Sequence, residues 1–409
     1  MPISDLLRHP DLWRYASIPL VAAVVGWATN WIAIAMTFWP VERKGLRAIF
    51  GWQGIIPSKA EKMATIFVDK TMIHLGTLSE VFERMNPDLI ADHVVRVLEP
   101  RVGELTDEVM RRSQVVVWEN LPEMVRDTVC QRVREELPQL VRNLLHDVDD
   151  QVEQLVDLRR LVVGRLVADR RLLNRLFLEC GAAEFRFIIR SGFWFGGLFG
   201  SIQLAVWLVY PAAWVLPAFG LFVGLATNWI ALNVIFRPLE AKRLGPWTVQ
   251  GLFLRRQREV AEIWCDIVTR DILTLHDLVQ AMLEGPRADR TRALIRKHIK
   301  LVVDRSLGPL RGLAQAAVGL RGFADLKDSV GATAVEVAIE PFRDREFILG
   351  RAGEVAEELR LRMTQMPPSE FQDLLRPCFQ EDELKLVLLG GALGLLAGLA
   401  QLQWVFGGG

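Results

Sequence analysis

The chain has 409 residues, 51% hydrophobic and 24% charged, and its 49 basic and 49 acidic side chains cancel to a formal charge of zero. That balance excludes a nucleic-acid binder driven by bulk basicity and excludes an acidic disordered tail. The charges are unevenly placed: none lies between Arg14 and Glu42, between Arg190 and Arg237, or after Lys385. A hydrocarbon core takes about 20 apolar residues per helix. The first and last charge-free stretches therefore hold one membrane span each, while the middle one, broken by Pro211 and Pro217, reads as a helical hairpin.

In chain order this predicts an N-terminal tail over 1–16, span 1 over 17–39, a charged block over 40–190, span 2 over 191–210, span 3 over 218–236, a second charged block over 237–385, and span 4 over 386–406. Span 1 exceeds a signal-peptide h-region in length and has an internal copy, so it is expected to be retained. Within the first block, apolar residues from Val125 to Leu155 recur at steps of three and four, the period of an amphipathic helix, with Pro138 expected to begin a new helix. Turn-bounded strand alternation is not evident in either block. The expected class is an all-α integral membrane protein with four transmembrane helices and two helical blocks.

The chain repeats itself. "GWATNWIAIAMTFWP" at 26–40 returns as "GLATNWIALNVIFRP" at 224–238, an offset of 198 residues, and the same offset places Gly192, Gly196, Gly200 and Gln203 on Gly390, Gly394, Gly398 and Gln401. It also sets Cys180 on Cys378 and Glu184 on Asp382. The repeating unit is span, block, span, used twice in parallel orientation. Basic residues cluster after span 1 (Arg43, Lys44, Arg47, Lys59, Lys62), after span 3 (Arg237, Lys242, Arg243, Arg255, Arg256, Arg258) and before span 2 (Arg186, Arg190), while the hairpin turn is uncharged. The positive-inside rule therefore assigns both blocks to the cytoplasm. The expected location is the bacterial inner membrane.

These residues resemble the bacterial family called domain of unknown function 445, the YjiN/YheB type of membrane proteins. The resemblance is carried by "GWATNWIAIAMTFWP" with "GWQGIIPSKAEKMA", by "LLNRLFLECGAAEFRFIIRSGFWFGGLFGSIQ" and by the closing "GGALGLLAGLAQ", and it covers essentially the whole chain. It implies an integral membrane protein with helical cytoplasmic blocks and carries no reaction with it. The second copy departs from the pattern where Leu254 replaces Pro57.

Two sets of residues stand out. Thr29, Asn30, Thr227 and Asn228 put amides and hydroxyls into apolar spans, where an unpartnered amide is costly. Interhelical hydrogen bonding beside Gly26, Gly224, Gly196 and Gly394 is the favoured reading, with Asn30 and Asn228 related by a pseudo-two-fold axis and able to meet. A substrate site between the repeats and a re-entrant segment are the alternatives. Gln53, Gly54, Gln250 and Gly251 follow Trp-containing basic connectors (Trp39, Trp52, Trp247). They read as an interfacial turn in which Gly takes a positive φ and Gln caps the next helix, or as a headgroup contact with Lys59 and Arg256.

Six scattered histidines, four cysteines without a Cys-x-x-Cys pair, and the lack of a Walker loop or G-x-S-x-G elbow leave no catalytic, cofactor or metal site to expect. Cys180 and Cys378 read as buried packing residues, and the row Arg292, Arg296 and Lys300 as a solvated helix face. The expected function is a non-enzymatic membrane scaffold or lipid-contacting protein, with a small transporter or channel around Asn30 and Asn228 as the alternative. Expected partners are membrane lipids, then a protein partner or a second copy, and no nucleic acid.

Overall fold

A computed structural model describes residues 12–45, 51–245, 247–307, 311–373, 376 and 383–407. Cys378, Asp382 and Arg47 lie outside the described residues. Among the described residues the chain is helical apart from its connecting turns, one short hairpin and one isolated bridge. In order it forms α1 (Leu12–Phe38), α2 (Ile55–Ser58), α3 (Ala60–Leu75), α4 (Leu78–Arg84), α5 (Pro87–Leu98), α6 (Val102–Glu119), α7 (Glu123–Leu155), α8 (Leu158–Ala168), α9 (Arg170–Cys180), α10 (Ala182–Val209) and α11 (Val215–Phe236). There follow β1 (Lys242–Leu244), β2 (Trp247–Val249), α12 (Leu252–Arg255), α13 (Gln257–Ile267), α14 (Leu275–Glu284), α15 (Ala288–Leu307), α16 (Arg311–Val337), α17 (Arg345–Gln365), α18 (Pro368–Asp373) and α19 (Glu383–Val405).

Two compact units share this chain. The first is assembled from residues 1–74, 166–264 and 362–409, the second from 75–165 and 265–361.

In the first unit, four helices among the described residues are long and apolar enough to cross a membrane: α1 from Trp13, α10, α11 and α19. The α10 helix begins nine residues before the charge-free stretch, because Glu184, Arg186 and Arg190 continue its register rather than ending it. The helices pack as two intimate pairs, α1 on α10 and α11 on α19, and the pairs join through α10 with α11 and α1 with α19. Across the joins, Gln203 donates to Leu216 O at 3.5 Å and its repeat equivalent Gln401 donates to Ser17 Oγ at 3.3 Å. Ile18 and Leu216, equivalent by the 198-residue offset, are both fully buried in one apolar cluster with Trp207 and Val215.

The short hairpin modifies the all-helical expectation. β1 and β2 pair antiparallel, Lys242 opposite Val249 and Leu244 opposite Trp247. In the first repeat the same place carries a single bridge between Lys44 and Trp52. Gly45 and Gly245 take positive φ (120° and 62°) where the chain turns, a conformation that suits glycine.

The second unit is a set of amphipathic helices around an apolar interior. Thr77 and Thr274 cap α4 and α14 alike, each accepting from the backbone N–H three residues on. Helix α7 packs against α4, α5 and α15. It runs unbroken through Pro138, contrary to the break expected there. An interior proline forfeits one hydrogen bond and costs about 3 kcal/mol, which the apolar stripe on either side recovers by burial. The basic row of α15 is not simply solvated: Arg292 donates to Leu283 O at 2.9 Å and Lys300 pairs with Asp328 at 3.0 Å. Between α7, α15 and their neighbours lies a cavity of about 590 Å³.

Candidate functional site

The Thr-Asn pairs sit at the centre of the two helix pairs. Asn30 is 1% exposed and Asn228 is 4% exposed. Asn30 Nδ2 donates to Ile188 O of α10 at 2.6 Å, and Asn228 Nδ2 donates to Leu386 O of α19 at 2.7 Å. The acceptors are themselves 198 residues apart. Each carbonyl lies inside a helix, so the amide is a donor additional to the backbone ladder, and at Ile188 O the Ser191 hydroxyl donates as well, at 2.9 Å.

Glycine makes that reach possible. A methyl group on Gly192 would stand 2.7 Å from Asn30 Nδ2, and one on Gly390 would collide with Asn228 Nδ2. The same helices meet backbone to backbone at the other glycines: a Cβ on Gly26 would strike Gly192 O, and one on Gly224 would strike Gly390 O. Small residues four apart are the usual means of bringing membrane helices this close. The expected orientation of both asparagines toward the glycine faces is thus observed, whereas their meeting is not: each amide donates within its own repeat. Asn30 Oδ1 and Asn228 Oδ1 are buried and accept no hydrogen bond among the described residues.

The threonines act differently from the expectation of cross-helix bonding. Thr29 Oγ1 donates to Gly26 O at 3.1 Å and Thr227 Oγ1 to Val223 O at 2.8 Å, both within their own helix. A hydroxyl one turn from its own carbonyl finds that partner before any neighbour.

A second constellation gathers where α1 and α11 end. The last carbonyls of a helix lack intrahelical donors, and here side chains supply them. Asn174 Nδ2 donates to Phe38 O at 2.6 Å. Gln372, in the amide orientation that satisfies both its atoms, donates to Phe236 O at 2.9 Å and accepts from Arg376 at 2.6 Å. Residues 174 and 372 are 198 apart, and two amides at that offset were a readable signal that sequence reasoning passed over.

The Gln-Gly elements complete these ends. Gly54 N–H donates to Pro40 O at 2.9 Å and Gly251 N–H to Pro238 O at 3.0 Å. Gln53 Nε2 donates to Val41 O at 2.7 Å and Gln250 Nε2 to Leu239 O at 3.2 Å. Neither glutamine caps the following helix, because its amide is held by the connector behind it. Neither glycine has positive φ: Gly54 stands at −54° and Gly251 at −50°. They are glycines because a Cβ at 54 would stand 2.7 Å from the Phe38 carbonyl carbon, and one at 251 the same distance from Ile235 O. Trp39 and Trp52 are 50% and 43% exposed, as an interfacial position requires.

Lys59 and Arg256 each follow the short helix after the Gln-Gly element, α2 and α12. Lys59 is half-buried. Arg256 is committed to protein: Nη1 reaches both Glu184 oxygens, at 2.9 and 2.7 Å, while Nε and Nη2 bind Glu259 at 2.8 and 2.6 Å. Hydrogen bonding to Glu259 foremost, then to Glu184, raises the guanidinium pKa against the opposing effect of burial. The same bond lowers the Glu259 pKa. Glu184 is 3% exposed, so this ion pair ties the start of α10 to the segment after α11. Cys180 is fully buried, as expected for a packing residue.

No family model matches the sequence. The chain is similar to a UPF0754 membrane protein of Cyanothece sp. (strain PCC 7425 / ATCC 29141), 24% identical over 427 residues that cover 94% of this chain and 96% of the relative. A UPF0754 membrane protein of Synechococcus sp. (strain JA-3-3Ab) is 29% identical over 167 residues, 39% of this chain and 38% of that protein. One from Shouchella clausii (strain KSM-K16) is 38% identical over 76 residues, 18% of this chain and 19% of the relative. With four apolar helices of spanning length and relatives that are membrane proteins, one of them similar from end to end, the chain is an integral membrane protein.

Proposed function

We propose that this protein is a non-catalytic scaffold or lipid-contacting protein of the bacterial inner membrane, of the domain of unknown function 445 type, with both charged blocks on the cytoplasmic side. The observation that carries the reading is the use made of the intramembrane amides. Asn30 and Asn228 spend their donors on carbonyls one helix away, at points where glycine brings the backbones together. Such a bundle is locked shut, and its value lies in what it holds in the membrane. The basic residues after spans 1 and 3 support the cytoplasmic assignment, which reporter fusions near Leu172 and after residue 409 test. An extracytoplasmic signal at 172 overturns it.

A second reading, a transporter or channel, has one observation in its favour: the two buried Oδ1 atoms without a donor among the described residues. Asn30→Leu and Asn228→Leu separate the two. Lower thermal stability in detergent, with cellular function falling in proportion, supports the scaffold. Intact folding with abolished function supports transport instead. Lipids and proteins co-purifying with the chain in nanodiscs, identified by mass spectrometry, give the partner.

A further inference from the structure

The outer stripe of α10 opens on two charges. Arg186 and Arg190 are exposed, as are Phe193, Trp194 and Leu198 further along the helix, and steps of three and four keep all five on one face. Packing against α1 fixes their depth: α10 accepts from Asn30 at Ile188 and meets Gly26 at Gly192. Arg190 therefore lies level with about Ala28, well inside the span, some ten residues or ~15 Å from the Phe38 end of α1. The second repeat shows what surrounds that face. The positions 198 residues on from Arg186 and Arg190 are Leu384 and Leu388, 69% and 55% exposed, side chains that suit hydrocarbon. Lys385, the basic residue of α19, is equivalent to Phe187 and stands nearer the helix end than position 388.

The neighbouring charges leave one of the two arginines unmatched. Arg256 is spent on Glu184 and Glu259. Arg186 donates to Ala182 O of its own helix at 3.2 Å and acts on Glu259 closely enough to help hold its carboxyl low. Two carboxylates thus stand against Arg256 and Arg186. Arg190 has no ion pair or hydrogen bond among the described residues. A guanidinium facing hydrocarbon without a counter-charge is costly. Every Cα–Cβ bond of a helix tilts toward its N-terminus, which for α10 is the end nearer the headgroups, so Arg190 carries its charge back by about one turn, to the level of Arg186. The anion at hand there, for an exposed side chain on a membrane span, is the phosphate of a lipid.

We infer that Arg190, with Arg186 beside it, binds the phosphate of an anionic phospholipid in the leaflet on the side where α10 begins. A guanidinium meets a phosphate through two parallel hydrogen bonds. One unmatched cation suits a headgroup of the phosphatidylglycerol type, which has a single negative charge and no ammonium of its own to compete for the phosphate. The headgroup contact expected of Arg256 thus falls to the start of α10. The inference rests on the lipid-contacting reading above and is tested apart from it.

The test uses the full-length protein in micelles with equimolar phosphatidylglycerol and phosphatidylcholine of the same acyl chains, and native mass spectrometry counts the lipids each molecule retains. Wild type should retain phosphatidylglycerol in preference. Arg190→Leu should lower the ratio of the two lipids about fivefold, the worth of one basic residue near an anionic surface. It should leave thermal unfolding unchanged, because it installs the residue with which the second repeat folds. Should the leucine lower the melting temperature, Arg190→Gln carries the test. Arg186→Leu should lower the ratio less, since Arg186 also serves Glu259. Arg142→Leu, which removes an exposed charge from α7, should leave it unchanged. A wild-type ratio near one, or a ratio unmoved by both Arg190 variants, overturns the inference and leaves lipid contact through other faces standing. An equal fall in Arg142→Leu reduces the effect to net charge and overturns it also. Inorganic phosphate at constant ionic strength should not alter the ratio; abolition of the preference would identify free phosphate as the ligand and overturn the lipid assignment. Retention of no lipid at all overturns both this inference and the lipid-contacting reading.

Discussion

In the four apolar helices, backbones meet at glycine: Gly26 against Gly192, Gly224 against Gly390, with no room for a methyl group at either. In the unit of residues 75–165 and 265–361, helices of similar length stand apart on Val, Leu and Ile, and line a pocket of about 590 Å³. The first arrangement draws on close contact and on a few hydrogen bonds to backbone, since hydrocarbon offers no hydrophobic drive between helices. The second draws on removal of apolar surface from water, which needs no particular partner for any one side chain. Packing of the first kind ties residues together in sets, glycine with asparagine with carbonyl, and both repeats keep the sets. Packing of the second kind tolerates exchange, and there the repeats have diverged.

Four experiments press on that difference, in descending order of expected effect. Gly224→Leu drives a side chain into Gly390 O and should cost at least about 3 kcal/mol, the upper range of overpacking in a filled interior. By contrast Val133→Leu, which adds volume at the cavity wall, should stay within about 0.5 kcal/mol. Thermal unfolding in detergent measures both, and equal losses would break the comparison. Arg256→Met strands the buried Glu184 and should cost about 3 kcal/mol, most of it recovered on adding Glu184→Gln. No recovery would mean that the arginine acts through its packing alone.

Asn30→Leu and Asn228→Leu should each cost about 1 kcal/mol. Because each amide donates within its own repeat, the double variant should lose the sum of the two to within about 0.5 kcal/mol. A loss well below the sum would show that the two sites communicate.

The smallest effect concerns acid. His298 donates to Asp147 at 2.9 Å and, with Lys297, holds its carboxyl below the ordinary value. A depressed folded-state pKa contributes stability that is complete above the unfolded value of ~3.9 and is lost as pH falls through the folded one. The gap in melting temperature between wild type and Asp147→Asn should therefore narrow as the pH is lowered from about 6 to about 3. A gap that stays constant would remove the carboxylate from the account.

Much of this was legible in the sequence, for identifiable reasons. Hydropathy marks the four spans, and the 198-residue offset pairs Asn30 with Asn228 and each with a glycine face. The stripe of α7 was readable as helical, and its first residues line the cavity. The void itself was not, because periodicity reports which way side chains point and not how far the opposite wall stands. Pro138 misled because a local rule yielded to burial on both sides of it. The hairpin of β1 and β2 was missed because its strands are three residues each, too short to show the alternation by which strands are read. Donation from Gln53 and Gln250 backward rather than forward depended on a turn geometry that residue identity does not specify.

The links between the two repeats have a bearing on ancestry. Gln203 reaches Leu216 O and Gln401 reaches Ser17 Oγ, while Ile18 and Leu216 share one cluster. These links run in both directions between the repeats, as contacts across an isologous interface do. Joining through residues 210–214 makes the meeting of the two halves intramolecular rather than concentration-dependent. It also released the two intervening blocks from having to match themselves, so that Leu can stand at 254 where Pro stands at 57, and one block can specialise while the other does not.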